Sequence, residues 1–295
     1  MDFGHLPVSM LAAVDFRLPP DNPRNVEVLR GIKAMKPQFF VGLTRWGSKD
    51  FIGSVYPKGT KDKQFVEWYS KFFNTVEVNS THYTLPPASQ IHDWAQKTGS
   101  RDFFFCPKVY NGISHNGILT DKKQLTQVFA EPLRSFGPKL GPMFLQLSEK
   151  FGPQRRDELI DYLHAWPADL RLFVELRNSG WFDNGVDETL TATLRKLGMG
   201  LVLTDTAGRR DILHMQLDVP SAFIRWVGND GHSTDLPRLD EWVARIGSWT
   251  DAGLQSCFFF VHSNHDVHAP LLANHFIKAL NARVGAGLPE LNILF

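Results

Sequence analysis

Cysteine is scarce in this sequence. Only Cys106 and Cys257 occur among 295 residues, and they lie far apart in the chain. Each belongs to a phenylalanine-rich segment, which is typical of a buried thiol that acts as a small apolar side chain. The sequence therefore does not support a disulfide framework. This scarcity favours a reducing compartment, and we expect a cytoplasmic protein.

The chain also lacks a strong net charge and a long apolar run. Its formal net charge is +1, so no overall field would attract nucleic acid or an anionic membrane, although a local basic patch remains compatible with this balance. No apolar stretch is long enough to cross a bilayer. Polar and charged residues, including Asp2, His5 and Arg17, interrupt the N-terminus, which therefore does not resemble a signal peptide. We expect no membrane association.

Two catalytic motifs are absent as well. No GxGxxG turn follows the first predicted strand, which weakens a dinucleotide-binding interpretation, and no GxSxG elbow indicates a serine hydrolase. The sequence indicates no cofactor. Gln146 and Arg225 end the fourth and seventh predicted strands, where many barrel glycosidases carry carboxylates, so that arrangement is also disfavoured.

Short apolar segments alternate with amphipathic segments along most of the chain. The hydrophobic fraction is 43% and the aromatic fraction 12%, as in a globular protein. The predicted strands are Gln38–Thr44, Thr75–Asn79, Phe103–Lys108, Met143–Leu147, Leu172–Arg177, Gly200–Thr204, Ala222–Val227 and Cys257–His262. The predicted helices are Asp62–Phe73, Pro87–Lys97, Lys122–Phe136, Arg155–Ala165, Glu188–Leu197, Leu239–Thr250 and Pro270–Val284.

This alternation predicts an α/β fold with a parallel sheet. Eight strand-helix units favour a closed (β/α)8 barrel of the TIM type over the alternative, an open doubly wound sheet. Residues 38–295 would form this barrel domain, and residues 1–37 an N-terminal extension. The extension contains the helix-breaking run Leu18-Pro-Pro-Asp-Asn-Pro23 and a short helix predicted over Val26–Met35.

Polar side chains stand where most of the predicted strands end. The C-terminal strand ends of such a barrel carry its site, so we expect these side chains to surround one pocket. The expected substrate contacts are Arg45, Trp46, Asn79, Tyr83, Lys108, Gln146, Arg177, Trp181, Arg225 and Asn264. The candidate acid-base residues are Glu77, Glu175 and Asp205.

The charges in this set have two interpretations. Arg45, Lys108, Arg177 and Arg225 would hold the anionic group of a phosphate-bearing or polyhydroxylated ligand, which would be a small molecule or a polymer. Alternatively, the same charges pair with one another as a buried network that holds the barrel together. The sequence leaves open whether the protein is an enzyme, and hydrolysis is one reaction that two glutamates support.

Two other functions remain open. His262 and His265, together with Glu175 and Asp205, would be the basis of a metal-dependent phosphodiester hydrolase, although their spacing matches no strong metal signature. A non-catalytic module for nucleic acid or a protein partner would use an exposed Trp46 and Trp181.

Several short motifs together resemble a known family. They include Val41-Gly-Leu-Thr-Arg-Trp46, Val76-Glu-Val-Asn-Ser-Thr-His-Tyr83, Phe105-Cys-Pro-Lys108, Val174-Glu-Leu-Arg177 and Phe223-Ile-Arg-Trp226, and they lie within the span from Phe40 to Ala279. In this order and spacing they resemble the YecE-like family, domain of unknown function 72. The resemblance implies a closed eight-stranded barrel of the triosephosphate-isomerase type. It implies no settled activity.

Overall fold

Eight parallel strands form one sheet in a computed structural model that describes residues 4–30, 36–183 and 185–291. The strands are β1 Gln38–Leu43, β2 Thr75–Val78, β3 Phe104–Pro107, β4 Met143–Gln146, β5 Leu172–Glu175, β6 Gly200–Asp205, β7 Ser221–Val227 and β8 Ser256–His262. Their spatial order is β3-β2-β1-β8-β7-β6-β5-β4, so the first and last strands of the chain are neighbours. This order is expected of a barrel in which each strand lies beside the next one in sequence.

The two terminal strands of this order, β3 and β4, approach each other and nearly close the barrel. Isolated parallel bridges join Lys108 to Phe144 and Phe105 to Leu140. The amide of Val109 donates to the carbonyl of Phe144 over 3.0 Å, and that of Gly141 to the carbonyl of Phe105 over 2.8 Å. The predicted barrel is therefore confirmed, and the open doubly wound sheet is not observed.

Helices connect the strands, and the longest ones agree with the amphipathic segments of the sequence. The α-helices are α1 Val8–Leu11, α2 Asn25–Leu29, α3 Phe65–Tyr69, α4 Ala88–Lys97, α5 Asn111–Ser114, α6 Lys123–Leu133, α7 Arg156–His164, α8 Glu188–Leu197, α9 Asp235–Ala252 and α10 Ala269–Val284. The helix predicted over Asp62–Phe73 is shorter than expected. Asn74 follows it and bridges the backbone of β1 by donating to the Phe39 carbonyl and accepting from the Val41 amide. The helix therefore ends at Tyr69, before the predicted Phe73, and the chain turns from there toward β2.

Strand alternation separates two apolar clusters. Leu43, Val76 and Leu203 belong to the larger cluster, which lies between the strands and the surrounding helices. A second cluster fills the barrel lumen with Phe40, Cys106, Phe144, Phe173, Val202, Phe223, Phe258 and Phe260. Because successive residues of a strand face opposite sides, the residue two positions after each lumen residue also faces the lumen. Several of those later residues are polar.

The N-terminal extension packs along the barrel near β6, β7 and α9. The Leu18 amide donates to Oε1 of Glu241 over 2.8 Å. The buried Asn25 side chain donates to the Met215 carbonyl and accepts from the Leu217 amide. In the part of the extension that the structure describes, the predicted Val26–Met35 helix corresponds to α2, which ends at Leu29, and residues 31–35 lie outside the described residues.

Candidate functional site

A cavity of about 620 Å³ opens at the C-terminal ends of the strands. Its floor is formed by residues from four strands or their exits, including Glu77, Thr204, Arg225 and His262. The rim and walls come from the loops that follow β1, β2, β5 and β8. The lining comprises Thr44, Arg45, Trp46, Gly47, Glu77, Val78, Asn79, Ser80, Tyr83, Trp94, Arg177, Thr204, Arg225, Val227, His262, Ser263 and Asn264.

Arg225 crosses the centre of the lumen and joins two glutamates from distant parts of the chain. Its Nε and Nη2 donate to the two carboxylate oxygens of Glu77 over 2.7 and 3.1 Å. Its Nη1 donates to Oε2 of Glu175 over 2.7 Å. All three side chains are almost completely buried. A charged group in this position must be paired, and each of these three charges has a partner.

This pairing sets the ionisation of both carboxyl groups. Burial alone would raise the pKa of Glu77, but the charge of Arg225, assisted by His262, lowers it well below its ordinary value. Burial likewise opposes ionisation of Glu175, and the charges of Arg225 and Arg177 outweigh it and lower the pKa to about 2. Both groups are therefore carboxylates at neutral pH. They are weak proton acceptors there and do not serve as proton donors.

Three further predicted residues complete this network. Gln146 donates its amide to Glu175 over 2.9 Å, and Nε of Arg177 donates to the other oxygen of Glu175 over 2.8 Å. Asn79 donates to Glu77 over 3.1 Å and to the Thr44 carbonyl over 3.0 Å. The buried network that the sequence left as an alternative is therefore present, and Asn79, Arg177 and Arg225 also line the cavity.

His262 lies on the cavity floor beside this network. Its Nε2 is 3.2 Å from Glu77 Oε1 and 3.2 Å from Nη2 of Arg225. Burial lowers the pKa of His262 although the Glu77 carboxylate acts in the opposite direction, so the ring is neutral at pH 7. The sequence had assigned His262 only to the metal alternative. Its position two residues after the lumen residue Phe260 would have placed it on the floor.

The residues that follow the apolar lumen residues by two positions form what we call the lumen layer, and Lys108 is its one lysine among the described residues. It follows the lumen residue Cys106 by two positions, and only 3% of the residue is exposed. Among the described residues its amine has no hydrogen bond or ion pair. Burial, reinforced by the charges of Arg225 and Arg177, lowers the pKa of Lys108 to about 7. An ammonium and a neutral amine are thus both populated at neutral pH.

Thr204 is a floor residue that the sequence analysis did not single out. It is buried, lines the cavity, and its hydroxyl has no hydrogen-bond partner among the described residues. A buried hydroxyl usually has a partner, because leaving one unpaired costs about 1–3 kcal/mol. The strand parity of Val202 and Thr204 is the signal that would have identified it.

Five predicted site residues lie outside the cavity lining of the described residues: the lumen-facing Lys108, Gln146 and Glu175, and also Asp205 and Trp181. Asp205 follows Thr204 and so faces outward, where it accepts from Nη2 of Arg238 over 2.9 Å and from Nε1 of Trp242 over 2.7 Å. Trp181 is 2% exposed and donates its ring nitrogen to the Phe151 carbonyl. Neither side chain reaches the cavity in this structure, and Trp181 lacks the exposure that the binding-module alternative requires.

The residues of the metal alternative do not converge. His265 is an exposed residue whose ring pairs with Asp230 over 3.0 Å. Asp205 forms ion pairs with Arg210 and Arg238 outside the barrel. Glu175 forms an ion pair with Arg225 inside the lumen. In the described ranges, no three histidine, cysteine or acidic side chains form a metal-holding group.

The cavity wall combines aromatic rings with a charged rim. Trp46 packs edge-to-face on Trp94 with ring centroids 5.0 Å apart, and Tyr83 is 66% exposed. The Arg45 side chain is 63% exposed and lies 3.6 Å from Asp266, which is a loose pair. Asn264 also lines the cavity, and its Nδ2 lies 2.8 Å from Nδ1 of His5 in the extension. Such a wall offers both flat apolar contact and hydrogen bonds.

The sequence matches the model of a family described as "Protein of unknown function DUF72" over residues 40–292. The chain belongs to this family. The UPF0759 protein YecE of Escherichia coli K12 is 27% identical over 280 residues, which cover 87% of this chain and 99% of that protein. UPF0759 protein YunF of Bacillus subtilis is 28% identical over 153 residues, which cover 48% and 52% of the two chains.

A solved structure supports the fold of the family. The DUF72 family protein from Enterococcus faecalis V583 superposes with a TM-score of 0.68 at 20% identity and covers 83% of this chain and 96% of that one. In the described part of the chain, no helix combines the length and apolar character that a membrane crossing requires.

Proposed function

We propose that the protein binds a small polyhydroxylated ligand carrying an anionic group, such as a sugar phosphate, in the cavity at the C-terminal end of the barrel. The observation that carries the proposal is the combination of an aromatic wall with a polar floor on which the Thr204 hydroxyl has no described partner. Ligand hydroxyls would satisfy such groups, while Trp46 and Tyr83 would cover the apolar faces of the ligand.

The charge balance of the lumen favours an anionic group on the ligand. Arg177 and Arg225 are balanced by Glu77 and Glu175. Lys108 adds a positive charge whenever it is protonated, whereas Arg45 at the rim is balanced by Asp266 at 3.6 Å. A phosphate or carboxylate would therefore approach a mouth with a small excess of positive charge.

The pairing of Glu77 and Glu175 argues against a reaction in which these two residues exchange protons with the substrate. A general acid needs a pKa near the working pH, and both groups are held as carboxylates by Arg225. Hydrolysis by two carboxylates is accordingly not part of this proposal. The two buried free cysteines agree with a reducing compartment, and we propose the cytoplasm.

Thermal unfolding in the presence of candidate ligands tests the proposal. Ligands that bind only the folded state raise its melting temperature. The panel contains sugar phosphates, the matching free sugars, glycerol phosphate, inorganic phosphate, nucleotides and short oligonucleotides. We expect sugar phosphates to give a larger shift than the matching free sugars.

Thr204→Val tests the floor, because valine keeps the shape of threonine and removes the unpartnered hydroxyl. Loss of one ligand hydrogen bond, worth about 1 kcal/mol, predicts roughly fivefold weaker binding with protein stability unchanged or slightly raised. The matched control is Thr193→Val, whose hydroxyl bonds the Thr189 carbonyl within α8 and lies away from the cavity. Equal affinity of the two variants would contradict the placement of the ligand, and a shift with oligonucleotides alone would favour a nucleic-acid module.

A further inference from the structure

We propose that Lys108 is a nucleophilic amine that condenses with the carbonyl group of a ligand in this cavity to form an imine. The proposal rests on the proposed function, since it takes the same cavity and the same anionic, hydroxylated ligand and adds an aldehyde or ketone to its description. The substrate class would thus be a small phosphorylated or carboxylated hydroxycarbonyl compound.

The placement of Lys108 is the geometric basis. Its strand parity directs it into the lumen layer that contains Glu175 and Arg225. Lys108 is not itself one of the lining residues, but the neighbouring strand β2 contributes Glu77 and Val78 to the cavity lining. The amide of Lys108 donates to the Val78 carbonyl over 3.3 Å, and its carbonyl accepts from the Thr81 hydroxyl over 2.7 Å. The backbone is therefore anchored, while the flexible four-carbon stem leaves the amine free to reach toward the cavity.

The unpartnered state of the amine is the second observation. Each buried carboxylate of the layer is already bound by arginine, and among the described residues none bonds the Lys108 amine. A purely structural buried lysine would be expected to pair with a carboxylate. With a pKa of about 7, roughly half of the Lys108 amines are neutral at pH 7, against about 0.04% for a lysine with the usual pKa near 10.4.

The atoms and electrons of the condensation balance with the amine and the carbonyl compound as the only reactants. The neutral amine lone pair adds to the carbonyl carbon, forms a C–N bond, and shifts the carbonyl π electrons to oxygen. Transfer of a proton from nitrogen to that oxygen gives a carbinolamine. A second proton transfer lets the hydroxyl leave as water, so that amine and carbonyl yield an imine and one water molecule. Desolvated lysines beside other cations are suited to this chemistry.

Reductive trapping of the full-length chain is the test. The protein is incubated at pH 7 with glycolaldehyde phosphate or with glycolaldehyde, each in the presence of cyanoborohydride, which reduces an imine to a stable secondary amine. Intact mass and peptide mapping then locate the modified lysines. We expect Lys108 to be modified at least tenfold faster than the exposed Lys63, and faster by the phosphorylated probe than by the neutral one.

Two further measurements make the result specific. Between pH 5.5 and 8.5, modification of Lys108 should rise with pH and level off above pH 7. Lys108→Met should lose the fast modification, while modification of the exposed Lys63 stays at its wild-type rate. If this variant fails to fold, the peptide map of the wild-type protein still shows whether Lys108 is the lysine that is modified quickly.

The outcomes separate this inference from the proposed function. Modification of exposed lysines with Lys108 unmodified overturns the imine proposal, even when glycerol phosphate stabilises the protein. Fast modification of Lys108 by both probes at equal rates supports the imine and contradicts a preference for an anionic ligand.

Discussion

Replacing Arg225 with methionine would remove the cation at the centre of the lumen while keeping most of the apolar stem volume. Glu175 would retain Arg177 as its partner. Among the described residues, Glu77 would retain only the amide of Asn79 and the neutral ring of His262. The loss of stability therefore arises mainly from Glu77, whose buried carboxylate no longer has a cationic partner. Breaking a buried pair in this way costs about 3–5 kcal/mol, a large part of the ~5–15 kcal/mol by which domains are stable.

The pH dependence of stability should change sign. In the wild type, the pKa of Glu77 is lower in the folded than in the unfolded state, so its contribution is present above about pH 4.5 and is lost as pH falls through the folded value. Without Arg225, burial dominates and raises the folded pKa, so the native state holds a proton that the unfolded state releases. Between pH 5 and 8, the variant should therefore lose stability as pH rises.

Urea unfolding followed by tryptophan fluorescence measures both effects. Arg225→Met/Glu77→Gln removes both charges and should recover most of the lost stability and abolish the new pH slope. Arg283→Met is the control, since its pair with Asp251 is exposed and should be worth less than about 1 kcal/mol. A loss below about 1 kcal/mol in Arg225→Met, or an unchanged pH slope, would refute the view that Glu77 depends on Arg225.

Three other substitutions address separate features. Wild-type stability should rise between pH 7 and 9 relative to Lys108→Met in urea unfolding, because unfolding returns a proton to an amine whose folded pKa is about 7; parallel curves would contradict this. Asp205→Asn should cost about 3 kcal/mol, because Arg238 keeps only Asp235 at 3.5 Å, and leave ligand-induced thermal shifts unchanged. Gly42→Ala would place a Cβ 2.0 Å from the Thr75 carbonyl oxygen, so calorimetry should show a clearly lower melting temperature, whereas Gly47→Ala, with open space, should not.

The parity of each strand explains where the interpretation of the sequence succeeded and where it did not. Glu77, Lys108, Gln146, Glu175 and Arg225 all face the lumen, as expected of polar residues at strand ends. These residues can be recognised in the sequence because charged and amide side chains are rare within apolar strands.

Asp205 shows the limit of that reasoning. It ends a strand as the others do, but it has the opposite parity to Val202 and Thr204 and faces α9. Trp181 shows a second limit. Its ring is covered by packing near Phe151 in a neighbouring loop, and local sequence carries little information about such contacts.

The alternation of strands and helices could be predicted from the sequence, because hydrophobic periodicity is a local property of the chain. The sequence also shows which strand ends are polar. Which charges meet depends on the three-dimensional fold: Arg225 and Glu77 are 148 residues apart in sequence, and the barrel brings their side chains within 2.7 Å. The same closure leaves Lys108 without a carboxylate, because the two glutamates nearest to it already bind arginine.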